Sequence, residues 1–135
     1  MSKPIEVVCA LIEQHNRVLV TQRNQNMAQA LLWEFPGGKL EKGESEKESL
    51  VREIGEELGI KIQPVTRLTP VLYSYSDQEI LLIPYICEYL GGVIQLIEHR
   101  SYQWAELDRL KQYNWCPADI PIADEYLQIR TSVLK

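Results

Sequence analysis

The stretch from Gly38 to Ile60 constrains this chain more than any other, because it carries its own start signal, its own stop signal and a charge pattern that no core absorbs. Pro36-Gly37-Gly38, and then Gly43, supply backbone free to take positive φ and to approach a ligand closely. Ser45 stands as the N-cap of a helix, Glu48 completes a capping box, and Glu46 adds negative charge where the helix dipole favours it. Gly59 is placed as the left-handed residue that ends the helix.

At about 100° per residue, Leu50, Ile54 and Leu58 fall on one stripe with Val51 beside it, so this face is expected in the core. Glu53, Glu56 and Glu57 share the neighbouring face, where three carboxylates repel one another by a few tenths of a kcal/mol per pair. A solvated acidic face is the plain reading. Against it, Arg52 precedes the trio, Glu44 lies a turn before the helix, and the glycine turns bring backbone carbonyls to the same end. A hard divalent ion, Mg²⁺ or Mn²⁺, takes such an all-oxygen set together with water and substrate phosphates.

Gly38, Glu44, Arg52, Glu53, Ile54, Glu56, Glu57, Gly59 and Ile60 fill every fixed position of the pattern GX5EX7REUXEEXGU, where U is aliphatic, and the segment resembles the Nudix box. The preceding Trp33-Glu34-Phe35-Pro36-Gly37 extends the similarity toward the MutT-like branch. The resemblance implies an α+β protein of the Nudix fold, an α/β/α sandwich whose central mixed sheet carries the loop-helix cassette. It implies a nucleoside triphosphate pyrophosphohydrolase, in which water attacks an internal phosphorus and a nucleoside monophosphate and pyrophosphate leave. On that reading Glu53 and Glu57 are metal ligands, with Glu56 on the same face and the Gly37 carbonyl as a backbone ligand. Arg52 holds a carboxylate in place, with Glu44 as its expected partner. Lys39 and Arg23 are the local cations; Arg23 is otherwise a surface charge, and the resemblance points it toward the base or the phosphates.

Two acids outside the box enter through the same resemblance. Glu98, in the loop after an apolar strand, matches a glutamate that reaches back to the metal as a ligand or as a water-activating base, with Glu53 as rival base. Asp119 stands where the MutT-like pattern has an asparagine that reads the base, and it is also a candidate cap for the terminal helix. An ionised aspartate only accepts, which suits the exocyclic amine of cytosine without excluding the donor edge of 8-oxo-guanine. The string Pro-Ala-Asp-Ile-Pro also resembles the CTP-cleaving members of that branch. Phe35, Tyr73 and Tyr75 are candidates for a stacking wall, with core packing as the alternative. Alternative functions are an 8-oxo-dGTP diphosphatase, cleavage of a linked diphosphate such as ADP-ribose, and a nucleotide sensor that does not cleave.

The remainder of the chain reads as support. Pro4–Glu13 and Arg17–Arg23 form a hairpin through Gln14-His15-Asn16, with His15 a turn residue. Lys61–Thr66 is a short strand that Pro64 confines to an edge or bulge. Val71–Ser76 and Glu79–Tyr89 form a second hairpin, and Val93–Leu96 returns as a strand after Gly91-Gly92. Trp104–Gln112 and Ile120–Ser132 read as helices, the latter with Pro121 in its first turn. Close approach of a neighbouring element is the expected reason for Gly55 inside the helix.

At 135 residues the chain, 1–135, is expected to be one domain. A net charge of −5 excludes the basic footprint of general nucleic-acid binding, so the expected partner is a small nucleotide, with monomer and dimer both open. No apolar run approaches the roughly 18 residues of a membrane helix, and Met1-Ser2-Lys3-Pro4 leads into a strand, so the expected location is the cytoplasm. Cys9, Cys87 and Cys116 lack any CxxC pairing and read as buried free thiols.

Overall fold

The structure, a computed structural model, describes residues 3–133. Met1 and Ser2, read above as leading into the first strand, and the last two residues of the span 1–135 lie outside it.

Strand β1 (Ile5–Gln14) is the spine. Its side chains alternate between two cores: Val8, Ala10 and Ile12 join one, Cys9 and Leu11 the other. A strand covered on both faces reads as a continuous apolar run instead of an alternating one, which is why Val7–Ile12 carries no polar residue. β1 turns into β2 (Arg17–Gln22) through His15 (φ 53°) and Asn16 (φ 62°), both in the left-handed conformation that a two-residue hairpin turn requires. β3 (Trp33–Glu34) pairs with β2, and β4 (Gly37–Lys39) pairs with β1.

After helix α1 (Glu46–Leu58) come β5 (Lys61–Arg67), β6 (Val71–Tyr75) and β7 (Gln78–Gly91). β7 runs parallel to β1 from Ile5↔Ile80 to Glu13↔Glu88, and carries β6 and β5 along its other side. β5 has a register shift at Pro64/Thr66, as expected of a strand with an internal proline. β8 (Ser101–Glu106) pairs with β2, and α2 (Ile120–Val133) closes the chain. The result is a mixed sheet between α1, whose Leu50, Ile54 and Leu58 meet Val8, Ala10 and Ile83, and α2, whose Ile122 and Tyr126 meet Leu11, Val18 and Val20. All three cysteines are buried and free.

Several expectations need correction. Val51 is exposed, and Ser49 takes the fourth buried position of α1. Gly37 and Gly38 are not in the left-handed region; they are strand residues. Their missing side chains matter for space instead, since a Cβ at Gly37 would fall 1.9 Å from the Val8 carbonyl oxygen and one at Gly38 would fall 2.1 Å from Glu53 Oε2. Val93–Leu96 forms no strand: Val93 is 80% exposed, and the Gln95 amide goes to the Leu58 carbonyl at the end of α1. Trp104–Glu106 belongs to β8, and only Leu107–Gln112 winds, as 3-10 turns with Leu110 buried. The Trp104, Leu107, Leu110 spacing imitates a helix, but β2 takes Trp104 and Ala105 as ladder partners. No element approaches Gly55, around which a Cβ would meet nothing within 4 Å.

Candidate active site

The helix start is built as the capping residues require. The Ser45 hydroxyl accepts from the Glu48 amide at 3.1 Å, and the Glu48 carboxylate accepts from the Ser45 amide at 2.9 Å. Gly59 ends the helix at φ 71°. Between these stops α1 holds Arg52, Glu53, Glu56 and Glu57 in fixed register against β4 and its glycines.

Arg52 gathers the carboxylates around itself. Its Nε donates to both oxygens of Glu44 (2.9 and 3.1 Å), and its Nη1 donates to Glu53 (3.0 Å) and Glu56 (3.3 Å). The Ser49 hydroxyl adds a 2.7 Å bond to Glu44. These bonds, the one from Arg52 foremost, hold the Glu44 carboxyl below its ordinary range.

Glu57 has no such partner. Its Oε2 is buried without a hydrogen bond, and desolvation, followed by the charges of Glu53, Glu98 and Glu34, pushes its pKa up to about 8. A cation is the group that this environment lacks, and the all-oxygen donor set fits a hard divalent ion. Among the described residues no three acidic, cysteine or histidine side chains stand close enough to form a finished metal site. Glu53 and Glu56 point their oxygens toward Arg52 instead.

A cavity of about 340 Å³ opens beside Glu57. Gly37, Gly38 and Lys39 line it together with that carboxylate, and so do Phe35, Tyr75, Leu82, Ala118 and Asp119. Glu53, Glu56 and Glu98 do not line it, although the Glu98 charge reaches Glu57. Glu98 is exposed, and its backbone carbonyl accepts from Asn24 Nδ2 at 2.5 Å.

Asp119 is 4% exposed, and its Oδ2 accepts from the Phe35 amide at 2.9 Å. The carboxylate is therefore committed to the strand rim, not to an amide of the first turn of α2 as a helix cap. Burial first, then the Glu34 charge, pushes its pKa well up, toward the neutral acid. This revises the acceptor-only argument, because a neutral carboxyl donates as well as accepts. Phe35 is 3% exposed and packs on Trp115 with ring centroids 4.8 Å apart, so it is both core and cavity wall. Tyr75 is half-buried, its ring 4.6 Å from that of Tyr73, which does not line the cavity.

Arg23 lines the cavity but is already engaged. Nη1 pairs with Glu34 at 2.8 Å, and Nε donates to the Ala28 carbonyl at 2.6 Å. The sequence by itself assigns no role to Glu34 or His99. His99 Nε2 lies 2.9 Å from Glu34 Oε2, and its Nδ1 is buried without a partner. Glu34 stood in plain view inside Trp33-Glu34-Phe35-Pro36-Gly37, whereas the only local mark of His99 is its place beside Glu98.

A family model described as the NUDIX domain matches residues 2–126. The CTP pyrophosphohydrolase of Escherichia coli (strain K12) is 37% identical over 130 residues, covering 96% of this chain and 96% of that protein. The 8-oxo-dGTP diphosphatase of the same organism is 30% identical over 121 residues, covering 89% of this chain and 94% of the relative. Among solved structures, the crystal structure of the MutT protein from Methanosarcina mazei Go1 superposes with a TM-score of 0.83 at 29% identity, covering 97% of this chain and 98% of that one. The solution structure of the E. coli ORF135 protein gives a TM-score of 0.81 at 35% identity, with coverages of 96% and 93%.

Proposed function

Because the chain belongs to the NUDIX family, we propose that it is a metal-dependent nucleoside triphosphate pyrophosphohydrolase, converting (d)NTP and water to (d)NMP and pyrophosphate, with a preference for cytidine nucleotides. The observation that carries the reading is one cavity that joins Glu57, a carboxylate with an unpartnered buried oxygen, to Asp119, a buried carboxyl among apolar walls. A nucleotide has the matching polarity, with an anionic phosphate chain at one end and a flat base at the other.

Glu53 and Glu57 are the proposed ligands of Mg²⁺ or Mn²⁺, with Glu56, Glu98 and the Gly37 carbonyl as further oxygen donors. When bound, the ion supplies charge neutralisation at the phosphate oxygens. Arg52, anchored on Glu44, fixes the orientation of Glu53, which would hold the ion. Lys39 contributes a mobile positive charge for phosphate. Arg23 acts through Glu34 and the Ala28 carbonyl, shaping the cavity instead of clamping phosphate. Glu98 takes the proton from the attacking water, with Glu53 as its rival. At the base, Phe35 and Tyr75 form walls, and Asp119 offers Oδ1, the oxygen not bonded to the Phe35 amide, as the acceptor for the N4-amine of cytosine.

Pyrophosphate release with Mg²⁺ from CTP, dCTP, 5-methyl-dCTP, 8-oxo-dGTP, dGTP, ATP and ADP-ribose tests the reading. The expected result is the highest kcat/KM on a cytidine nucleotide. A preference for 8-oxo-dGTP would assign the sanitising role instead, and binding without turnover would make the chain a sensor.

A further inference from the structure

Glu34 holds a position that no box residue explains. Its two oxygens are tied to different partners, Oε1 to Arg23 Nη1 at 2.8 Å and Oε2 to His99 Nε2 at 2.9 Å. A carboxylate tethered at both oxygens cannot swing to a metal ion, and as an anion it repels phosphate. It nevertheless lines the cavity with its side chain 18% exposed, and two of its roughly four lone-pair sites remain free to accept.

Its location narrows the ligand group further. Glu34 lines the cavity that Glu57 and Asp119 also line, and it is next in sequence to Phe35, whose amide donates to Asp119 Oδ2 at 2.9 Å. In a nucleotide bound with its phosphates at Glu57 and its base at Asp119, the part between them is the sugar, and the donors of a sugar are its hydroxyls. Resting on the nucleotide reading above, we propose that Glu34 is the sugar-binding residue, accepting a hydrogen bond from a ring hydroxyl, and that Arg23 and His99 are the positioning residues that aim it.

The tethers reach beyond the site. Arg23 also holds the Ala28 carbonyl of the cavity-lining loop, and the His99 segment is fastened by the Arg100 amide on the Gln22 carbonyl. Glu34 is thus braced from both flanks, and a braced acceptor discriminates sugars better than a mobile one.

The test is a sugar series on one base: CTP, dCTP, 3′-deoxy-CTP and 2′,3′-dideoxy-CTP. kcat/KM is measured for the wild type, E34M, H99Q and H99L, and Kd for the matching monophosphates. The wild type is expected to favour at least one hydroxyl-bearing sugar over the dideoxy compound by about tenfold or more, as befits a hydrogen bond to a charged acceptor. E34M brings that ratio close to one by weakening the hydroxylated substrates more than the dideoxy compound. H99Q, whose amide reaches Glu34, retains the ratio, whereas H99L narrows it; this pair decides the matter if E34M does not fold. A wild type blind to the sugar, or an equal loss on all four substrates in E34M and H99L, overturns the assignment while the pyrophosphohydrolase reading stands. Should another base prove preferred, the same series on that base decides. A chain that neither binds nor cleaves any nucleotide sinks both readings.

Discussion

Arg52 grips Glu44 through a single nitrogen, Nε, which donates to both carboxylate oxygens at 2.9 and 3.1 Å, and this leaves Nη1 free to reach Glu53 and Glu56. One planar guanidinium therefore spans three acids, an arrangement that a lysine's point charge cannot copy. R52K is expected to lower kcat/KM by about ten- to a hundredfold, the range typical of lost support around a metal ligand. The apparent Mg²⁺ affinity should fall with it. An R52K enzyme with wild-type Mg²⁺ dependence would remove Arg52 from the site.

Glu57 is the reverse case, a carboxylate whose neighbours Glu53, Glu98 and Glu34 all repel it. E57Q keeps the shape and removes the charge. Turnover is expected to drop by about a thousandfold or more, while the metal-free protein melts at the same temperature as the wild type or higher, because an acid that folding must either protonate or hold as a repelled anion is gone. Paired Tm and rate measurements in EDTA and in Mg²⁺ check this; a full rate in saturating Mg²⁺ would refute the ligand role.

The catalytic helix was legible because its signals are local. Ser45, Glu48 and Gly59 act within one or two turns, and each does in the structure what its type and spacing require. β1, β2 and the 71–91 hairpin were legible for the same reason. β8 was not, since its helix-like spacing is overridden by pairing with β2, 79 to 89 residues away in sequence from Gln22↔Ser101 to Arg17↔Glu106. The site divides in the same way. Arg52 and Glu44 belong to one motif, but the Glu34–His99 contact joins a strand end to a distant loop, and neither residue carries a mark of it. Asp119 was visible as a residue while its burial was not, and burial is what changes its chemistry.

Glu46 anchors the first turn of α1 to the sheet: Arg67 donates to both of its oxygens at 2.9 and 3.2 Å, and the Tyr85 hydroxyl donates at 2.7 Å. The Arg67 bond foremost holds its pKa below the ordinary 4.5. The sign follows from linkage: a depressed folded-state pKa gives stability that is present above the unfolded value and lost as pH falls through the folded one. E46Q should therefore melt below the wild type at neutral pH, with the gap shrinking as pH falls below the ordinary 4.5 and through the lower folded-state value. A gap that stays constant over that range would show that the carboxylate's charge is not what matters.

Gly55 sits in the exposed middle of α1, and a Cβ there would meet open space. Without a steric reason for glycine, only the backbone cost remains. G55A is expected to stabilise the protein by about 1 kcal/mol, seen as a raised denaturant midpoint with an unchanged m-value. Destabilisation would mean that glycine has a function at that position which the folded chain alone does not show.

Asp119 has a bond that any replacement must respect, the Phe35 amide donating to Oδ2 at 2.9 Å. Asparagine keeps that acceptor through its carbonyl oxygen and places an amide donor where the acid's second oxygen stands. D119N should therefore fold, and it isolates the base-reading question from the structural one. In the neutral acid the hydroxyl proton can move between the two oxygens, whereas an amide fixes which atom donates. If Asp119 reads the base, the ratio of kcat/KM for dCTP to that for 8-oxo-dGTP should fall by about tenfold in D119N, roughly one hydrogen bond's worth of discrimination. Competition between the two nucleotides in one reaction measures that ratio directly and cancels errors in active enzyme concentration. A ratio that stays fixed while Tm falls would leave Asp119 with a single task, holding Phe35 and the strand rim in place.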